Sequence, residues 1–252
     1  MNYITSLILG IVEGLTEFLP VSSTGHLILA SNALGVPNDD FLKVFEIVIQ
    51  TGAILAVIYI YWKDLLKDHA YILKIGVAFI PTAILGLLLH GIVKKYLFTP
   101  VVVCSSLFIG GIVLLFLENL TAKIQPKKLT FFHYFLIGTG QCLAFIPGVS
   151  RSASSILAAR LLGASREEAV KFSFLLAIPT ILSASAYSLL KVKTQMVQAE
   201  YIYLLLGLLT SFVFGFLSVK FFLRILNHKT FIVCGIYRMI MAVVYYLVFI
   251  NV

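Results

Sequence analysis

The chain has 252 residues, 60% of them hydrophobic and 12% charged, with a formal net charge of +8. A soluble domain of this length carries about 25% charged residues, so the composition excludes an ordinary water-soluble enzyme and points to a chain solvated by lipid. The basic excess is spread over short loops, as on the cytoplasmic side of membrane proteins, and nucleic acid is not expected as a partner.

The opening residues, MNYITSLILG, contain no basic n-region and no small-residue cleavage site, so no signal peptide is predicted and the first segment is expected to stay in place. Region 3–35 is apolar but breaks at Pro20-Val-Ser-Ser-Thr-Gly. The runs 41–62, 71–92 and 99–118 follow, each reaching the roughly 20 apolar residues that a membrane-crossing helix needs. Region 131–162 breaks in the same manner at Pro147-Gly-Val-Ser-Arg-Ser, and the runs 168–190, 201–223 and 230–250 complete the chain. The pieces flanking each break are too short to span, and read as re-entrant hairpins. The expected fold is therefore an all-α polytopic membrane protein, with six transmembrane helices plus two re-entrant helix hairpins, in a single membrane domain over 1–252. Cys104, Cys142 and Cys234 lie inside apolar runs at spacings that match neither a metal site nor a disulfide framework.

The two breaks resemble one another. FLPVSSTGHLILA (18–30) aligns with FIPGVSRSASSILAA (145–159), and Asp40-Phe-Leu-Lys43 with Glu168-Ala-Val-Lys171. The chain thus divides into halves, 1–125 and 126–252, each one hairpin followed by three spans. A hairpin returns to its own side and three spans change sides, so the second half is expected to be inverted, as in many transporters. Ten basic residues fall on the side holding Lys63, Lys127 and Arg166, and five on the side holding Lys43 and Lys191. The first side is then cytoplasmic, and the hairpins dip in from opposite faces.

Glu13 and Glu17 are four apart and share a helical face. Two carboxylates in a membrane are costly and need a cation or a basic partner; hard oxygen ligands of this kind suit Mg²⁺ or Ca²⁺. Ser22, Ser23 and Thr24 follow Pro20 as a helix start, with free N–H groups and positive potential that suit phosphate. His26 lies one turn from Ser23, within reach for proton exchange. In the second break Arg151 supplies a permanently charged fork for phosphate oxygens, or a partner for Glu13 or Glu17. Ser150, Ser152, Ser154 and Ser155 give its helix a polar start. Arg160 is expected to snorkel to the cytoplasmic interface, and Glu46 and Gln50 to line the same cavity. Lys220, Glu118 and Arg238 read as structural or interfacial, and His69, His90, His133 and His228 as residues near loops or span ends. Together the two breaks describe an oxyanion site that would bind or cleave phosphate on a lipid. A carrier or flippase for phosphate or an anionic phospholipid is the rival, because inverted repeats with broken helices are transporter architecture.

At these residues the chain resembles the undecaprenyl-diphosphate phosphatase family of the bacitracin-resistance type. The resemblance rests on Glu13-Gly-Leu-Thr-Glu17-Phe-Leu-Pro-Val-Ser-Ser-Thr-Gly-His26 and Pro147-Gly-Val-Ser150-Arg151-Ser152, and extends to 50–57, 174–179 and Tyr237-Arg238. The family's second motif usually continues Ser-Arg-Ser-Gly-Ala-Thr; here it is Ser-Arg-Ser-Ala153-Ser154-Ser155, which keeps a hydroxyl at the last place. The resemblance implies hydrolysis of the C55 isoprenoid diphosphate to the monophosphate and inorganic phosphate, which recycles the lipid carrier for peptidoglycan. It implies a bacterial cytoplasmic membrane, a divalent cation and a site open to the periplasm. Partners are the isoprenoid diphosphate and membrane lipids, with a homodimer among the arrangements allowed. By matching motif the resemblance carries over Glu13, Glu17, Ser23, His26, Ser150 and Arg151. Joined to the reading of the residues, the expected set is Glu13 and Glu17 for the metal, Arg151, Ser150, Ser22, Thr24 and Ser152 for the substrate, and Ser23, His26, Glu17 and Arg151 for catalysis. Ser23 or an activated water is the nucleophile, and His26 or Glu17 the base.

Overall fold

A computed structural model describes residues 1–97, 99–191, 196–226 and 230–250, apart from the side chains of residues 90, 92, 94, 95, 118, 249 and 250. The expectations for His90, Glu118 and His228 lie outside this description. Among the described residues every regular element is a helix, with no strand.

Each half begins with two short helices. The first pair is α1 (Tyr3–Thr16) and α2 (Ser23–Ala33), and its long helices are α3 (Asp40–Val48) running into α4 (Gln50–Lys67), then α5 (His69–Tyr96) and α6 (Pro100–Thr121). The second pair is α7 (Phe131–Gln141) and α8 (Arg151–Leu161), joined through a tight 3₁₀ turn at Cys142–Phe145, followed by α9 (Arg166–Lys191), α10 (Gln198–Ile225) and α11 (Thr230–Tyr245). Six helices are long and apolar enough to cross a membrane, with α3 and α4 together forming one candidate of 28 residues. The expected run 41–62 is therefore real but broken at Ile49, where Gly52 N–H turns back to the Ile49 carbonyl (3.0 Å) and Gln50 Nε2 donates to the Glu46 carbonyl (3.2 Å).

Helix starts are set locally. Asn2 and Thr5 close a reciprocal capping box on α1, Asp39 accepts from Leu42 N–H (2.8 Å), Thr99 precedes Pro100 at the first position of α6, and Ser165 and Glu168 cap α9 reciprocally. Each such cap satisfies N–H groups that the helix itself cannot.

The outer surface is apolar: Leu88 is 70% exposed, Leu87 67% and Leu190 86%. That would be a liability in water, and it is the natural exterior of a helix bundle in lipid. Inside, small residues allow helices to close up, as is usual between membrane helices. A Cβ on Gly14 of α1 would lie 2.6 Å from the Ser211 carbonyl of α10, and one on Gly138 of α7 would lie 1.8 Å from the Ala78 carbonyl of α5. The α1–α2 turn reaches the middle of the core: Phe18 is fully buried, edge-on to Phe174 at 5.1 Å, and Phe174 in turn meets Phe222 at 6.1 Å. The two polar breaks are thus held in the interior by ordinary apolar packing.

Candidate active site

The two breaks meet. Gly25, in the first turn of α2, has its vacant Cβ position 3.5 Å from Gly148 Cα, in the turn before α8. Gly148 has φ +90°, and a Cβ there would strike the Val103 carbonyl at 2.6 Å, so only glycine fits this close approach. On the other side Ser22 also takes a left-handed conformation, φ 74°, while its hydroxyl accepts from Gly25 N–H at 3.3 Å. A non-glycine residue in that region stores about 1–3 kcal/mol of strain, which concentrates at functional sites.

One cavity of about 200 Å³ lies where the segments join, lined by Glu17, Ser22, Ser23, Thr24, Ser150 and Arg151, together with Gln50, Thr82, Gln141, Thr180 and apolar neighbours including Phe145 and Ile181. Glu17, in its wall, is bonded from both segments. Arg151 Nε (3.2 Å) and Nη2 (3.1 Å) both donate to Glu17 Oε1, and Ser23 Oγ donates to Glu17 Oε2. Arg151 Nη1 donates to the Ser173 carbonyl at 2.9 Å. A guanidinium has five N–H groups, so two stay available to an anion. Ser150 caps α8 by accepting from Ala153 N–H (3.2 Å) and shares a hydrogen bond with Ser152 (2.9 Å). Ser152 Oγ donates to the Leu19 carbonyl at 3.0 Å, which ties α8 to the first turn rather than facing the cavity. Ser154 donates to the Ser150 carbonyl (2.9 Å), and Ser155 meets Ser173 Oγ (2.7 Å). The hydroxyl that replaces the usual threonine is thus a packing contact.

His26 departs from expectation. Nδ1 lies 2.8 Å from the Ser22 carbonyl, which can only accept, so Nδ1 carries the proton. Nε2 is then the acceptor, taken by the Tyr237 hydroxyl at 2.9 Å, with the two rings nearly parallel. Neither nitrogen faces Ser23, whose proton points instead to Glu17. Spacing along the helix was right, but the ring turns toward the carbonyl four residues back and a tyrosine 211 positions away.

Glu13 lies one turn behind Glu17 and is fully buried, and neither of its oxygens has a hydrogen-bond partner. Its charged neighbours are Glu17, Glu46 and, with opposite sign, Arg151. The expected basic partner therefore serves Glu17 and leaves Glu13 open. Among the described residues, no group of three or more His, Cys, Asp or Glu residues is arranged to hold a metal. Glu46 is not part of the cavity wall, whereas Gln50 is.

Of the two readings of Arg238, structural or interfacial, the structure shows the first: it is 1% exposed, in the middle of α11, and donates to four backbone carbonyls, those of Pro20 (3.2 Å), Gly148 (2.9 Å), Ser106 (3.2 Å) and Leu107 (3.3 Å). It holds both broken turns on one guanidinium. Arg160 does not simply snorkel: it donates to the Ala164 carbonyl (2.8 Å) and Thr121 Oγ1 (3.2 Å). Thr82, Gln141 and Thr180 of the cavity wall were not singled out by sequence. The signal available was the same tripeptide, Ile-Pro-Thr, at 80–82 and 178–180, each time inside a long apolar helix.

Similarity to known proteins extends over nearly the whole chain. Relatives named undecaprenyl-diphosphatase include one from Persephonella marina, 44% identical over 98% of this chain and 99% of its own length. Another from Aquifex aeolicus is 43% identical over 95% and 96%, and one from Campylobacter jejuni 44% over 98% and 94%. Residues 6–244 match the family described as bacitracin resistance protein BacA, which contains every residue of the cavity, and the chain belongs to that family.

Proposed function

We propose that the protein is an integral membrane phosphatase that hydrolyses undecaprenyl diphosphate to undecaprenyl phosphate and inorganic phosphate, returning the carrier lipid to peptidoglycan synthesis. The observation that carries this reading is the double engagement of Glu17, which takes the proton of Ser23 from one broken segment and the guanidinium of Arg151 from the other. A carrier needs the arginine. It has no use for a serine hydroxyl aimed at a buried carboxylate.

The chemistry is an in-line displacement at the terminal phosphorus. The two spare N–H groups of Arg151, with the N-terminal turns of α2 and α8, hold the diphosphate oxygens. Ser23 Oγ attacks the terminal phosphorus as its proton passes to Glu17, and the bridging oxygen leaves as the lipid monophosphate. Water then cleaves the phosphoseryl bond, and the proton returns to Ser23. Thr24, Ser22 and Ser150 supply further hydroxyl contacts on the cavity wall. His26 orients the first turn through Ser22 and Tyr237. A cavity of about 200 Å³ accommodates a phosphate head and not a long isoprenoid, so the tail lies outside it, against the apolar exterior.

The donor set fits a divalent cation of the Mg²⁺ or Ca²⁺ type: Glu13 offers two buried, unpartnered oxygens beside a second carboxylate, Glu17. Bound there, such an ion supplies neutralisation of the negative charge that builds on the phosphate.

Two short helices followed by long spans occur twice in the chain, with Ser22 and Ser150 in the same capping role. That order supports two re-entrant hairpins in an inverted repeat over 1–125 and 126–252 of one membrane domain. The loop charges support a cytoplasmic position for Lys127 and a site open to the extracytoplasmic side of a bacterial inner membrane. The deciding experiment is phosphate release from undecaprenyl or farnesyl diphosphate by protein purified in detergent, with and without EDTA. Release that EDTA abolishes and Mg²⁺ or Ca²⁺ restores is expected. No release by folded protein under any of these conditions would sink the enzyme reading.

A further inference from the structure

Gln141 is the last residue of α7, 1% exposed, and part of the wall of the cavity that holds Glu17, Ser23 and Arg151. Its position follows from Gly138, whose missing side chain lets α7 press onto α5 beside Thr82. Gln141 Nε2 donates twice, to Thr82 Oγ1 at 3.0 Å and to Thr180 Oγ1 at 3.2 Å. Each threonine gives its own proton to a backbone carbonyl: Thr180 to Leu176 (2.8 Å) and Thr82 to Gly138 (3.4 Å). Both hydroxyls can therefore only accept from Gln141, and this fixes which end of the amide is nitrogen. The other end, Oε1, is buried without a hydrogen-bond partner.

An orphaned buried carbonyl oxygen costs about 1–3 kcal/mol, and the threonine clamp prevents the amide from rotating to relieve it. What completes it must bring a proton donor. The diphosphate is an array of acceptor oxygens and is repelled by a carbonyl. Water is a donor, and hydrolysis consumes one molecule of it per turnover. We propose that Gln141 Oε1 is the acceptor that holds this water in the site, with the amide aimed by Thr82 and Thr180. The inference rests on the hydrolase reading above. In the second half-reaction the water oxygen bonds to the phosphorus of phospho-Ser23 and the P–Oγ bond breaks. The proton that Glu17 took from Ser23 in the first step returns to Ser23 Oγ, and both water protons leave on the departing phosphate.

The test is competition between water and methanol. Methanol attacks the same phosphorus and yields methyl phosphate, so the ratio of methyl phosphate to inorganic phosphate reports how well water is held. Loss of fold lowers both products and leaves that ratio alone. In Gln141→Ala the total rate is expected to fall by about 10²-fold, the scale of a mispositioned reactant. The methyl phosphate share should rise several-fold at fixed methanol, with little change in KM for the diphosphate. A double variant, Thr82→Val with Thr180→Val, keeps the glutamine but frees its amide, and should shift the ratio in the same direction by less. An unchanged ratio in both variants would overturn the proposal. So would an unchanged ratio accompanied by a higher Mg²⁺ requirement, which would make Gln141 a cation ligand. Absence of phosphate release from the unsubstituted protein would instead refute the hydrolase reading itself.

Discussion

Glu17 is the carboxylate bonded by both broken segments, through Ser23 of the first and Arg151 of the second, and it is the proposed base. Glu17→Gln removes the acceptor of the Ser23 proton and leaves Arg151 without its counter-charge, and the turnover rate is expected to fall by about 10²–10⁴-fold, the range for loss of a general base. Tyr237→Phe removes only the donor to His26 Nε2. It should cost about 1–3 kcal/mol of stability for an unpaired acceptor, while steady-state assays of the purified variant retain most of the turnover. A fall in Tyr237→Phe as deep as in Glu17→Gln would return the role of base to His26. Sequence alone brought out Glu13, Glu17, Ser23 and Arg151, since charged and hydroxyl groups inside apolar runs have few reasons to be there. It misread His26, because one-turn spacing defines a shared face and not which nitrogen points where. It passed over Gln141, Thr82 and Thr180, neutral residues whose meaning lies in contacts between α5, α7 and α9.

At the scale of helices, α11 locks the site from behind. Arg238 joins the turn before α2 to the turn before α8 through the Pro20 and Gly148 carbonyls, and α6 makes room for it at Gly110, where a Cβ would lie 2.1 Å from Nη2. Gly110→Ala therefore displaces the guanidinium from four carbonyls at once. Overpacking of this kind costs about 1–3 kcal/mol, and detergent-phase thermal unfolding and phosphate release should both report a loss. Gly76→Ala, with nothing within 4 Å of the added carbon, is the control and should change neither. This role was hidden in the sequence, where Arg238 is a lone basic residue in a span. The helix-to-turn breaks themselves were legible, since Pro20 and Pro147 followed by small hydroxyl residues are local signals. The interruption at Ile49 was not, because it arises from a side-chain bond of Gln50 inside an otherwise apolar run.

For the molecule as a whole, the six long apolar helices and the two short pairs were readable from hydropathy, because lipid demands length and apolarity of every crossing segment. The meeting of the pairs follows from the repeat of the two breaks, whereas the contacts that hold it, at glycines 25 and 148 and at Arg238, were not legible. Orientation has its own check. A cysteine at exposed Lys127, in a background lacking Cys142, should resist impermeant thiol reagents added outside intact cells; ready labelling would reverse the inside–outside assignment. The central claim, that both segments form one catalytic unit, is tested most directly by a mutant cycle on phosphate release with Ser23→Ala, Arg151→Ala and the double variant. Residues that act as a unit are strongly non-additive. The expected result is that the double variant is no slower than the worse single one by more than about threefold. Losses that multiply in full would show two independent sites and contradict it.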